Sequence, residues 1–129
     1  MKHFSGRFEN IKVVVTGHTG FKGAWLTLWL KNLGARVFGI SLDIPTSPSH
    51  FQAAGLDQSC ESHFVDIRDR DAVQSLLRQI QPDFVFHLAA QALVRRSYDE
   101  PIRTFETNTL GTLNILEGLR HLSTPTTAV

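Results

Sequence analysis

The chain has 129 residues, 42% hydrophobic and 19% charged, the make-up of one globular domain with a core of its own. Thirteen basic and twelve acidic side chains nearly cancel, so no strong field selects nucleic acid or an anionic membrane. A single cysteine, Cys60, excludes an internal disulfide, and no run approaches the ~18 apolar residues of a membrane span.

The opening stretch, MKHFSGRFENIK, has no apolar core of signal-peptide type, and a cytoplasmic protein is expected. Next comes IKVVVTG, a β-branched run without clean alternation, which predicts a strand covered on both faces. Closely spaced glycines follow, and then AWLTLWLKNLG, apolar around most of its circumference, which predicts a buried helix ended by Gly34. ARVFGISL predicts a second strand. Residues 43 to 61 carry Pro45, Pro48 and three serines, and predict a loop with one short helical turn near SHFQAAG.

SHFVDI predicts a short third strand. In RDRDAVQSLLRQI, Val73, Leu76, Leu77 and Ile80 fall at helical spacing, with Asp69 as N-cap and Pro82 beyond the end. DFVFHLA predicts the fourth strand. A helical segment opens at SYDEP and runs on through Leu110, Leu113, Leu116 and Leu119, and STPTTAV predicts the start of a fifth strand. The order argues for an α/β fold: a Rossmann-like doubly wound parallel sheet of four to five strands, incomplete, which takes ligands at the carboxyl ends of its strands.

The chemistry gathers at VTGHTGFKGAW. A strand, three glycines and a helix form the dinucleotide-binding arrangement. One glycine permits the turn, one lets backbone amides approach a pyrophosphate, and one lets the helix pack close to the strand. The helix amino terminus adds free N–H donors and partial positive charge. The spacing here is Gly-x-x-Gly-x-x-Gly (Gly17, Gly20, Gly23).

TGHTGFKG resembles the glycine motif of extended short-chain dehydrogenase/reductases, and more narrowly that of the bacterial CDP-glucose 4,6-dehydratases. VDIRD and FHLAAQALVRRSYDEPIRTFETNTLGTLNILEG resemble later segments of that family, in the family's order. The resemblance implies NAD as cofactor and CDP-glucose, a nucleotide sugar, as substrate. It also implies a role in deoxysugar and lipopolysaccharide precursor synthesis. Thr16, Gly17, His18, Thr19, Gly20, Phe21, Lys22 and Gly23 would form the pyrophosphate cradle. Asp66 and Ile67 would flank the adenine, and Leu88, Ala89 and Ala90 would line the nicotinamide ribose. Asn108 would steady the backbone near the reacting centre, while Arg96 and Ser97 would approach the sugar nucleotide. By the same resemblance, residues 100 to 122 would pack against a partner subunit in a homodimer.

Simpler roles stand beside these. Asp66 could cap a turn, Asn108 could be a surface residue in mid-helix, and Arg96 and Lys22 could be solvated cations. His18 has no carboxylate near it in sequence, so it is read as shaping the loop or touching substrate rather than acting as a base. The acid that holds the adenosine ribose is either Asp43 or, nearer the strand end, Ser41 takes its place. No Lys or Arg occurs from residue 37 through 67, which favours NAD over NADP.

The family's first step uses a Tyr-x-x-x-Lys pair, in which the lysine lowers the tyrosine pKa. The sole tyrosine, Tyr98, is followed four residues on by Ile102, and the lysines are Lys2, Lys12, Lys22 and Lys31. The reading is therefore the amino-terminal part (1–129) of an NAD-binding domain, with no catalytic pair and no sugar-binding domain in this chain, and inactive alone. A non-catalytic NAD-binding module and another epimerase, dehydratase or reductase of the superfamily are the alternatives. The six histidines and Cys60 show no metal-ligand spacing, so no metal is expected.

Overall fold

The computed structural model describes residues 3–129. Met1 and Lys2, which belong to the opening stretch read above, lie outside the described residues. Five strands, β1 (Lys12–Thr16), β2 (Arg36–Ser41), β3 (Glu61–Phe64), β4 (Phe84–His87) and β5 (Thr127–Ala128), form one sheet in the order β3-β2-β1-β4-β5. Every pairing is parallel. Helices lie on both faces, so the doubly wound parallel sheet expected from the sequence is present, with the fifth strand begun.

The valine run of β1 explains why this strand is central. Val13, Val14 and Val15 are all fully buried. Successive side chains of a strand point to opposite faces. Val14 joins Phe38, Ile40 and Val85 under helices α4 (Arg70–Ile80) and α7 (Gly111–Arg120). Val13 and Val15 join Val37 and Leu30 of helix α1 (Phe21–Asn32) on the other face.

Helix α1 is not buried all round, contrary to its composition. Its buried face is Gly23, Ala24, Thr27 and Leu30, of which Leu30 packs on the sheet valines, while Trp25 and Trp29 are 53% and 55% exposed. The small residues let the helix approach the sheet closely and leave the indoles on the outer side. There Trp29 packs edge-on to Phe4 and Trp25 lies on His50, with ring centroids 5.7 and 4.3 Å apart. Gly34 ends the helix in the left-handed region, φ +89°.

The loop between β2 and β3 holds two helical turns rather than one, α2 (His50–Ala53) and α3 (Leu56–Ser59). Phe51 and Leu56, one in each, are buried against Ala24. Helix α4 follows its periodicity. Val73, Leu76, Leu77 and Ile80 are buried, and the Asp69 carboxylate accepts the Ala72 N–H at 3.0 Å as the expected cap.

The segment read as one helix after β4 is divided. It comprises α5 (Val94–Asp99), α6 (Pro101–Phe105), a π turn (Glu106–Leu110) and α7. Glu100 leaves the helical region (φ −129°, ψ 62°) because Pro101 disfavours helical backbone before it. Helix α7 meets the core through Gly111, Ile115 and Gly118. Leu110 of the π turn and Leu113 and Leu116 of α7 are 43 to 56% exposed. Among the described residues, no helix is long and apolar enough to cross a membrane.

Candidate functional site

The carboxyl ends of β1, β2 and β4 surround the glycine turn, and its three glycines meet different surroundings. Gly17 has φ +74°, the left-handed region, and a Cβ there would lie 2.9 Å from the Ala89 nitrogen and 3.0 Å from the Leu88 carbonyl carbon. At Gly23 a Cβ would run into the Gly17 carbonyl. At Gly20 it would meet only the Gly17 oxygen, at 3.3 Å. Gly20 is the extended N-cap of α1 (φ −75°, ψ 170°), with no side-chain cap and no acid in the helix's first turn. Gly20 therefore offers the amides opening α1 no side-chain acceptor, and no side chain of its own stands before them. Bare amides, helix-terminal positive charge and room suit a phosphate or pyrophosphate.

His18 has no exposed surface. Its Nδ1 lies 2.9 Å from Ser41 Oγ and its Nε2 2.8 Å from Ser62 Oγ. The ring sits where a side chain on Gly39 would be and stands edge-on to Phe51 at 5.1 Å. Of its two expected roles the geometry matches loop shaping, since a ring with no exposed surface does not touch a sugar. Ser41 is buried as well. Its hydroxyl also accepts the Thr19 N–H at 3.3 Å, while Thr19 Oγ1 donates to the Asp43 carbonyl at 2.6 Å. The Asp43 side chain is exposed beyond the end of β2. Gly39 and Ser62 were missed in the sequence; an isolated glycine inside a strand was the available signal of a close approach.

Burial lowers the His18 pKa from the ordinary 6.5 to about 4, and burial also lowers that of His87. The folded state thus prefers the neutral rings, and the unfolded chain binds more protons between pH 6.5 and about 4. Stability is fully present above pH 6.5 and falls as pH drops through this window, by about 3 kcal/mol from His18 at the lower end. Thermal melts between pH 7.5 and 4.5 should show that decline beginning above the carboxylate range. A flat Tm down to pH 4.5 would contradict the buried neutral ring.

A second network joins β1 to the helices after β4. Thr16 Oγ1 accepts the N–H groups of Leu88 and Ala89, both at 3.0 Å, and lies 2.7 Å from His87 Nδ1. His87 Nε2 lies 2.9 Å from Thr112 Oγ1, which donates to the Asn108 carbonyl at 2.8 Å. The Asn108 side chain accepts the Gln91 N–H at 2.7 Å and donates to the Gln91 carbonyl at 3.0 Å. Asn108 is exposed in the π turn, and its side chain clamps the loop after β4. Ala90, between these clamps, is exposed. His87 and Thr112 escaped the sequence reading, which tested the histidines for metal spacing alone.

Asp66 and Ile67 follow β3. The Asp66 carboxylate accepts the Arg68 backbone N–H at 2.9 Å and Nη2 at 2.6 Å; the Arg68 hydrogen bonds hold its pKa below the usual range. Arg68 also reaches Glu106 at 3.4 Å. The carboxylate thus caps a turn and anchors an arginine on one wall of a cleft of about 560 Å³, bordered also by Asp69, Leu110 and Asn114. The Ile67 side chain points into the core, 5% exposed, where a Cβ on Gly111 would strike it. Only its backbone is left to border a ligand. Phe21 is 72% exposed and Lys22 is exposed, both in the first turn of α1. Arg96 and Ser97 form hydrogen bonds local to α5, to Glu100 at 3.0 Å and to the Val94 carbonyl at 2.5 Å. Cys60 is half-buried, and burial pushes its thiol up, which suits packing rather than nucleophilic chemistry.

Comparison with known proteins accords with this geometry. The family model described as GDP-mannose 4,6 dehydratase matches residues 14–128. The CDP-glucose 4,6-dehydratase of Salmonella typhimurium is 50% identical over 115 residues, covering 89% of this chain and 32% of that protein. Among solved structures, the Thermus thermophilus UDP-glucose 4-epimerase complex with NAD superposes with TM-score 0.75 at 33% identity, over 85% of this chain and 34% of that one. The Bordetella bronchiseptica enzyme WbmF, in complex with NAD+ and UDP, gives TM-score 0.78 at 28% identity, over 95% of this chain and 36% of that one. The chain spans about a third of the length of the curated relatives it matches.

Proposed function

Since the chain belongs to the GDP-mannose 4,6 dehydratase family, we propose that it is the NAD-holding part of a sugar-nucleotide 4,6-dehydratase acting on CDP-glucose. The observation that carries the cofactor assignment is the glycine turn, where a side chain on Gly20 would meet only the Gly17 oxygen at the uncapped start of α1. The similar Thermus thermophilus and Bordetella bronchiseptica structures are complexes with NAD.

In this reading the amides at the start of α1 receive the pyrophosphate, and Gly17 and Gly23 keep the turn tight enough to present them. Asp43 rather than Ser41 receives the adenosine ribose, because the Ser41 hydroxyl is already engaged by His18 and Thr19. Leu88, Ala89 and Ala90 border the nicotinamide ribose, held in place by Thr16 and Asn108. Asp66 and the Ile67 backbone edge the adenine. When bound, the nicotinamide supplies hydride acceptance and return at the sugar. These residues bind and orient; with Tyr98 followed by Ile102, no Tyr-x-x-x-Lys phenolate is assigned to this chain.

CDP as the nucleotide rests on the 50% identity to the Salmonella relative. Arg96 and Ser97 are assigned to the sugar-nucleotide side. The exposed face of Ile102, Phe105, Leu113 and Leu116 is assigned to a second subunit, and the compartment to the cytoplasm. A reading as an epimerase of the same superfamily is favoured by the structural neighbours and by UDP-glucose 4-epimerases at 34% and 28% identity, below the 50% of the dehydratase relative.

Calorimetry should give NAD binding at least about tenfold tighter than NADP, because residues 37–67 offer a 2′-phosphate no cation. Equal affinities would refute the assignment of the ribose pocket. A polypeptide of the relatives' length, mixed with CDP-glucose, should form the 4-keto-6-deoxy sugar, read by its absorbance in alkali. Silence there, with turnover of another nucleotide sugar, would transfer the proposal to that substrate.

A further inference from the structure

We propose that His87 is a positioning residue of the cofactor site, whose single ring holds both ends of the 88–91 loop. The inference rests on the NAD-binding reading above. Through Thr16 the ring governs the start of the loop, and through Thr112 it governs the Asn108 turn that clamps the loop's end.

Counting protons fixes how the ring does this. A hydroxyl offers one proton and two lone pairs. Thr16 Oγ1 spends its lone pairs on the amides of Leu88 and Ala89. Its contact with His87 Nδ1 at 2.7 Å must therefore be donated by threonine, and Nδ1 is bare. On the opposite side, Thr112 Oγ1 gives its proton to the Asn108 carbonyl. It must accept from His87, so Nε2 carries the hydrogen across 2.9 Å. Two independent constraints select one neutral tautomer.

The other tautomer would set two donors against each other at Thr16 and two acceptors at Thr112. A doubly protonated ring would leave the Thr16 proton without an acceptor. Either change loosens the Thr16 hydroxyl from Leu88 and Ala89, and leaves the 3.2 Å bond from the Leu88 N–H to the Thr16 carbonyl as the remaining tie. Those residues lie against Gly17, where a Cβ would come within 2.9 Å of the Ala89 nitrogen. His87 thus sets the height of the loop against the glycine turn without touching a ligand itself.

Two measurements on the whole chain test this. Two-bond nitrogen–proton correlations of the labelled imidazole at pH 7 should show hydrogen on Nε2 and a bare Nδ1. Hydrogen on Nδ1, or a charged ring, would overturn the proposal whatever the variants do. Calorimetry with NAD should show affinity falling roughly tenfold in His87→Phe, which loses both bonds, and in His87→Gln, which keeps only a donor for Thr112. Unchanged affinity in a folded His87→Phe defeats the role of His87. Failure of the unaltered chain to bind NAD would defeat the cofactor reading instead. Circular dichroism establishes that each variant is folded; should none fold, the tautomer decides.

Discussion

Gly20→Val should lower NAD affinity by at least about a hundredfold and leave the fold nearly intact. The two halves of this outcome have separate causes. Gly20 has φ −75° and ψ 170°, ordinary extended backbone open to any residue. A Cβ there meets only the Gly17 oxygen, at 3.3 Å, so a few tenths of an ångström of adjustment accommodate it. The fold thus pays about 1 kcal/mol. The isopropyl group, however, fills the space from which the first amides of α1 are approached. A pyrophosphate would have to retreat from those donors, losing several charge-assisted hydrogen bonds at once. Calorimetry with NAD beside a thermal melt reads both quantities. Retained affinity in a folded variant would dismiss the cradle, and with it the cofactor role given to residues 16–23.

Much of this was legible because the signals were local. Val13 to Val15 form a strand core by composition, and both faces are indeed filled. Helix α4 follows its apolar spacing from Val73 to Ile80, with Asp69 capping it. Of the three glycines, Gly17 turns in the left-handed region and Gly23 packs against the Gly17 carbonyl, while a Cβ on Gly20 would meet only the Gly17 oxygen.

What escaped depends on partners distant in the chain. Helix α1 is apolar nearly all round, so composition alone could not tell its sheet side from its outer side; the small residues Gly23, Ala24 and Thr27 decided it. In α7, Gly111, Ile115 and Gly118 rather than Leu113 and Leu116 face the core, and Ile67 and Leu77 fill the space the two glycines leave. His18 reaches Ser41 and Ser62, 23 and 44 residues away, and His87 reaches Thr16 across 71. No periodicity encodes such pairs. They arise because a parallel sheet brings the carboxyl ends of its strands side by side, which is also why they gather at the site.

Gly23→Ala should destabilise the protein by about 3–5 kcal/mol, although helix propensity argues for the opposite sign. Gly23 lies in the first turn of α1, where alanine is intrinsically better than glycine by about 0.8–1 kcal/mol. The added methyl would overlap the Gly17 carbonyl oxygen and crowd the His18 Cα, which is backbone and not the yielding tip of a side chain. To make room, α1 must lift from the turn. That withdraws Ala24, Thr27 and Leu30 from their buried positions together, because they share the helix's buried face. Lifting α1 also carries its amides away from the cradle, so NAD binding should fall in step with stability, unlike the separation foreseen for Gly20→Val. Gly118→Ala provides the contrast: it too sits in a helix, but its Cβ would press on the Leu77 Cδ1 at 2.7 Å, a methyl at the end of a rotatable side chain. Its cost should stay near 1 kcal/mol. Denaturant titration of the two alanine variants separates the accounts. Equal and small effects would mean that the helix–turn approach at Gly23 is looser than its geometry implies, and propensity would then govern both sites.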